Sequence, residues 1–287
     1  MKVTEPKALE KIANKIRIDI IQEIYYGKSG HPGGSLSCAD ILAVLYFNEM
    51  NIDPNKPQDE NRDRFVLSKG HASSALYATL AERGYFPKEE LISFRNVMSR
   101  LQGHPDMTKL PGIDATTGSL GQGLSIANGM ALNSKMNSMG YRVYCLIGDG
   151  ELEEGQIWEA CMTASKYKLD NLCAIIDCNG IQLSSSVQDT KGLTFDDIES
   201  KFRSFGFSTQ VIDGNNVASI LEALQVAEKT KGKPTAIIAK TIKGKGVSFM
   251  ENDVKWHGKA PNDDEVKQAM EELTKSDDAK FFEAKIK

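Results

Sequence analysis

A chain of 287 residues with a formal charge of −4, its acidic and basic residues interspersed, is near the upper size for one hydrophobic core and lacks the basic surface of a nucleic-acid binder. Its five cysteines (Cys38, Cys145, Cys161, Cys173, Cys178) are odd in number and form no Cys-x-x-Cys pair, which points to a reducing, cytoplasmic home. The N-terminal stripe Leu9, Ile12, Ile16, Ile20 and Ile24 is interrupted by charges, so it is no signal peptide, and no apolar run reaches membrane-spanning length.

In chain order, residues 7–26 read as a helix ended by Gly27, and residues 37–49 as a second, with Ser35 or Ser37 as N-cap. Residues 64–67 form a short buried strand that leads through Gly70-His71 into a helix ending at Arg83-Gly84. Residues 118–135 begin Gly-rich and turn Ala-, Leu- and Met-rich, as a helix packed closely on a sheet or a ligand does. Strands follow at 142–147 and 172–176, joined by a crossover helix over 154–166 in which Ile157, Trp158, Cys161 and Ala164 are spaced for burial. Residues 207–212, 217–230 and 235–242 repeat the strand, helix, strand pattern. The alternation implies one α/β domain over residues 1–287, a three-layer, doubly wound, mainly parallel sheet with helices on both faces. The charged stretch 263–287 reads as a helical tail with Val266, Met270 and Leu273 on one side.

One spacing carries chemistry. Gly148-Asp149-Gly150 stands at the end of the first central strand and Asn179-Gly180 just beyond the second. Parallel strands bring their carboxyl ends to the same edge of a sheet, so Asp149 and Asn179 become neighbours. A carboxylate beside an amide oxygen is a hard oxygen pair suited to Mg²⁺, which keeps positions open for ligand phosphates. Gly148 and Gly150 let the backbone approach a ligand, with their N–H groups at a helix start where an anion is favoured. All four histidines, His31, His71, His104 and His257, lie in Gly- or Pro-containing loops, a placement that suggests one shared cleft. Their spacing is not that of a zinc site. Lys243-Gly244-Lys245-Gly246 lacks the spacing of a Walker loop and reads as a mobile loop covering the ligand.

These residues resemble the thiamine diphosphate signature, and the surrounding chain looks like the N-terminal, diphosphate-binding domain of transketolase. Ser29-Gly30-His31-Pro32-Gly33-Gly34-Ser35, Leu67-Ser68-Lys69-Gly70-His71, Gly103-His104-Pro105, the block from Thr116 to Gly123 and Trp256-His257-Gly258 follow in family order. The resemblance implies thiamine diphosphate and Mg²⁺ (or Ca²⁺ or Mn²⁺) as cofactors. Asp149 and Asn179 would ligate the metal by side chain and Ile181 by its carbonyl. Gly148 and Gly150 would meet the diphosphate, with His71 and His257 as further donors. His31, His104 and His257 would contact the sugar, and Gly118 belongs to the same cofactor block. Glu154 matches the family glutamate that bonds the catalytic glutamate of the partner domain, although a surface glutamate at a helix N-terminus explains it equally well. Leu120 and Ile242 resemble the apolar residues flanking the thiazolium, where a core role serves as well, and Asp177 matches an aspartate near that ring.

Two departures stand out. Ser119 replaces the family's proline, and the further two domains of single-chain transketolases are absent. Those domains carry the glutamate that activates the cofactor, so this chain alone would have negligible activity. The expectation is a split transketolase, with a separate C-terminal subunit in a heterotetramer of two copies each. It would transfer a two-carbon ketol unit from a ketose phosphate to an aldose phosphate through a cofactor-bound dihydroxyethyl group. The alternatives are the α subunit of a 2-oxo acid dehydrogenase and a non-catalytic cofactor-binding module. Neither nucleic acid nor membrane is expected as a partner.

Overall fold

The structure, a computed structural model, describes residues 2–183, 185–192 and 194–275, for Lys191 the backbone alone. Its centre is a five-stranded, wholly parallel sheet of β1 (Arg64–Leu67), β2 (Val143–Gly148), β3 (Leu172–Cys178), β4 (Ser208–Asp213) and β5 (Thr235–Lys240), in the order β1-β2-β3-β5-β4. The three middle strands are apolar at almost every position because both faces are covered. Successive side chains divide between two cores. Tyr144, Leu146, Cys173, Ile175 and Ile237 face one layer, while Val143, Cys145, Ile147, Ala174, Ile176 and Ile238 face the other.

The first layer holds α1 (Pro6–Gly27), α2 (Pro32–Leu36), α3 (Ala39–Val44) and α4 (Ser73–Arg83). The second holds α5 (Gly123–Met136) and α6 (Gly155–Lys166), with α7 (Val187–Lys191) and α8 (Phe195–Ser204) between β3 and β4. Then α9 (Val217–Lys229) and α10 (Asp263–Thr274) return to the first layer. Val266, Met270 and Leu273 of α10 are buried there, while the remainder of the expected helical tail, 276–287, lies outside the described residues.

Three local departures from the sequence reading have physical causes. The helix expected over 37–49 is instead α3 with a π-helical turn at Leu45–Glu49, and α2 precedes it. Pro32, whose fixed φ suits the first turn, starts the helical path earlier. Neither serine caps α3, because Ser37 Oγ donates to the buried Asp177 carboxylate at 2.6 Å and Ser35 Oγ pairs with Ser74 Oγ at 2.7 Å. The first helix ends one residue later than expected, on Lys28 in the left-handed conformation at φ 51°. Finally, β3 runs on to Cys178, which places Asp177 inside the sheet. Among the described residues no helix is long and apolar enough to cross a membrane.

Candidate active site

The carboxyl ends of β1, β2, β3 and β5 all feed one cleft of about 550 Å³, a volume suited to a small organic cofactor. Beyond β2, the Asp149 carboxylate accepts the N–H of Gly150 at 2.8 Å and that of Gly180 at 2.6 Å, clasping the two strand ends together. Burial, and secondarily the charge of Asp177, push this carboxyl up to about 6, so the pocket favours a cation beside it. Asn179 spends its amide N–H on Asp177 at 3.2 Å, while its Oδ1 accepts the Ile181 N–H at 3.2 Å. The Ile181 carbonyl accepts the Lys243 ammonium at 2.9 Å, so this oxygen already faces a positive charge.

Three imidazoles meet across the cleft. The ring centroids of His31 and His71 are 5.1 Å apart, and each lies 5.5 Å from His257. His257 Nδ1 pairs with Lys243 Nζ at 2.9 Å, and His31 Nδ1 faces the Arg95 guanidinium at 3.3 Å. Burial first, then Arg95 for His31 and Lys243 for His257, lower both rings to about 4, and burial with Lys69 holds His71 well below the usual histidine range. These rings are therefore neutral at pH 7, each with one N–H to donate and one nitrogen to accept. In proton NMR, the Hε1 shifts of His31 and His257 are expected to stay flat from pH 8 down to about 5.5; a midpoint above about 6 for either would contradict the geometry. Because the unfolded imidazole titrates near 6.5, the unfolded chain takes up protons first on acidification, and stability falls between about 6.5 and about 4.

Of the residues singled out from sequence, His31, His71, Gly118, Leu120, Gly148 and Asp149 line the cleft, as do Gly150, Glu154, Asn179, Ile181 and His257. Glu154 is exposed at the rim, at the N-terminus of α6. Three others are placed differently. His104 is exposed, its ring against Gly118 and its carbonyl bonded by Tyr77 Oη at 3.2 Å. Asp177 lies beneath the cleft, fully buried, where it takes Lys69 Nζ at 2.5 Å, Ser37 at 2.6 Å and the Thr241 hydroxyl. Burial would raise its pKa, but Lys69 and these hydrogen bonds hold it below the ordinary carboxylate value. Ile242 is half-buried, its N–H on Asn215 Oδ1 at 2.8 Å.

Sequence reasoning passed over Arg95 and Glu151 and gave Lys69 and Lys243 no role of their own. Lys69 anchors Asp177 and the Gly34 carbonyl, both at 2.5 Å. Arg95 reaches Ser29 and His31. Glu151 is buried at the cleft floor. Lys243 is 1% exposed, in a loop held by the Gly244 N–H on the Gly33 carbonyl at 3.0 Å, so the loop read as mobile is an anchored wall of the site. Burial lowers the Lys243 amine to about 8. The available signal was a lysine soon after an apolar strand, Lys69 two residues past Leu67 and Lys243 three past Lys240.

The donor set fits a hard divalent cation with a diphosphate: a carboxylate, an amide oxygen and a carbonyl on one wall, free of thiolates, with glycine N–H groups and a buried lysine beside them. Among the described residues no group of three or more His, Cys, Asp or Glu side chains is placed to hold a metal.

Residues 8–285 match the family described as "Transketolase, thiamine diphosphate binding domain". The chain belongs to the transketolase family. It is 46% identical to the 6-deoxy-6-sulfo-D-fructose transketolase subunit SqwG of Clostridium sp. (strain MSTE9), over 93% of this chain and 96% of the relative. It is 40% identical to an apulose-4-phosphate transketolase subunit of Phocaeicola vulgatus, over 93% of this chain and 94% of that relative. Among solved structures, the transketolase of Campylobacter jejuni superposes with a TM-score of 0.87 at 35% identity, over 94% of this chain but 43% of that one. The chain thus spans nearly the whole of relatives named as subunits and less than half of the solved transketolases it matches. Within the transketolase family it corresponds to the N-terminal subunit of a transketolase-type enzyme acting through thiamine diphosphate.

Proposed function

We propose that this chain and a separate C-terminal subunit, two copies of each, form a transketolase that moves a two-carbon ketol unit from a ketose to an aldose. The observation that carries the reading is the convergence, at one sheet edge, of Asp149, Asn179 and the Ile181 carbonyl with three neutral imidazoles and the Lys243 amine. Asp149, Asn179 and Ile181 would hold Mg²⁺, and Lys243 with the Gly150 N–H would meet the diphosphate. Thiamine diphosphate, when bound, supplies the nucleophilic carbon and the electron sink for the two-carbon unit. His31 and His257, neutral and buried on one side, orient the sugar oxygens by hydrogen bonds and donate to an oxygen as negative charge develops on it. His104, exposed at the rim beside Gly118, is available to a sugar entering from solvent. Glu154, exposed where it lines the cleft, would meet the partner's cofactor-activating group.

The substrates are sugars that carry an anionic group at the end distant from the transferred unit. The two subunit relatives are named for a 6-sulfo sugar and a 4-phosphate sugar, each of which carries an anionic group. The whole of residues 1–287 would act as one cofactor-binding domain, with groups that read the distal anion supplied by the partner.

The test is isolation of the tagged chain from its own cells with Mg²⁺ and thiamine diphosphate present. An equimolar second chain of about the same size is expected, and the complex should discharge a ketose phosphate onto an aldose acceptor while either chain alone turns over nothing measurable. Release of carbon dioxide from a 2-oxo acid would assign the chain to a dehydrogenase instead. Recovery of this chain by itself would favour a non-catalytic cofactor-binding module.

A further inference from the structure

Glu151 has no part in the chemistry above, yet its side chain is 2% exposed and its carboxylate gathers donors from three separated stretches of chain. Oε1 accepts the Ser68 hydroxyl and the Gly121 N–H at 2.9 Å, and Oε2 accepts the Gly148 N–H at 3.0 Å. Each stretch carries a wall of the cleft. Ser68 opens the loop that holds Lys69 and His71, Gly121 closes the turn that presents Gly118 and Leu120, and Gly148 leads into Asp149 and Gly150. The glycine turn fits tightly here: Gly121 has φ +86°, and a side-chain carbon on it would come within 2.6 Å of Glu154 Cβ.

We propose that Glu151 is a positioning residue for cofactor capture: one buried carboxylate ties three loops together so that the Gly118–Leu120 turn and the Gly150 N–H face the same ligand. The inference rests on thiamine diphosphate being the ligand of this cleft. A carboxylate suits the task because it only accepts, and all three partners donate. An amide of the same shape cannot serve all three, since its NH₂ must oppose either Gly148 or the Ser68 and Gly121 pair. A partner donor facing that NH₂ loses its acceptor, in a buried place at Gly121 and a half-buried one at Gly148.

The experiment uses the full chain in its co-purified complex with Mg²⁺ and compares wild type with Glu151→Gln. Titration calorimetry is expected to show thiamine diphosphate binding weakened roughly tenfold to a hundredfold. At saturating cofactor, kcat should fall far less than the affinity. In the cofactor-free complex, hydrogen exchange should accelerate at Gly121 or Gly148 and remain at the wild-type rate within β2 and β3. Wild-type affinity in the variant overturns the proposal. So does faster exchange spread evenly over the sheet, which is the mark of general loosening. If Glu151→Gln fails to fold, Ser68→Ala removes one donor and leaves the carboxylate both glycines, with an expected weakening of roughly threefold to tenfold. Wild-type affinity in that variant likewise overturns the proposal. A wild-type complex that takes up no thiamine diphosphate overturns the ligand reading and this inference together, whereas a binding wild type beside an unaffected variant overturns the inference alone.

Discussion

Asp149→Ala is expected to weaken thiamine diphosphate binding in the presence of Mg²⁺ on the order of a hundredfold, while the cofactor-free protein melts close to wild type. The carboxylate is the only formally charged member of the proposed oxygen set, so a cation would lose its strongest attraction with it. Two effects on the fold oppose one another. Removing the carboxylate frees the N–H groups of Gly150 and Gly180, but both glycines are half-exposed and water can serve them. It also relieves a buried acid whose pKa stands near 6, above its unfolded value. A group raised in this way contributes stability below its unfolded pKa and loses that contribution as pH rises through about 6, so at pH 7 the cation-free fold carries a penalty that alanine lacks. Calorimetric titration beside a melting curve separates the two quantities. Unchanged affinity in the variant would remove Asp149 from the metal site.

Gly123→Ala should have the largest effect on the fold itself, about 3 kcal/mol or more, read from chemical denaturation. Gly123 opens α5 directly against the end of β1. An added methyl would overlap the Ser68 Oγ and Cβ and sit 2.7 Å from the Ser68 Cα. The hydroxyl could turn away, but the Cα belongs to the backbone, so α5 and the Ser68 loop must part. Cofactor binding should fall with it, since Ser68 donates to Glu151. Gly129 in the same helix is the control, with nothing within 4 Å of its added carbon. There, in the isolated chain, alanine should gain roughly 0.5 to 1 kcal/mol by helix propensity. Equal effects at the two positions would mean that the close contact does not decide the sign.

The contrast between those glycines is a contrast in what sequence can express. The strand pair β2 and β3 was legible because both are short, apolar and β-branched, and its parallel sense was enough to bring Asp149 beside Asn179. Three histidines met as their loops suggested, while the ring of the fourth, His104, stands exposed outside the cleft lining. The segment 187–204 went unread although its signal was present. Thr194 and Asp197 form a reciprocal capping box, and Ile198 and Phe202 bury one turn apart. By contrast, the Lys69–Asp177 pair closes across 108 residues, and no local pattern announces which lysine will meet which aspartate. A second long-range contact to the same aspartate took Ser37 away from its expected cap. Glu151 was hidden for a similar reason, because a glutamate after Gly-Asp-Gly looks like a solvated helix start until Ser68 and Gly121 arrive from elsewhere.

The strand order also dictates when this molecule becomes competent during its own synthesis. Among the described strands β5 is last in sequence, yet it lies between β3 and β4, and β4 pairs with no other of them. Until β5 leaves the ribosome, the apolar edge of β3 is bare and β4 has nothing to join. Lys243 and His257 follow β5, so a nascent or truncated chain lacks one wall of its cleft as well as the middle of its sheet. Cofactor uptake would therefore report on insertion of β5: a chain that holds the cofactor has already placed that strand, and vitamin supply would stabilise chains that extend past His257 without rescuing shorter fragments.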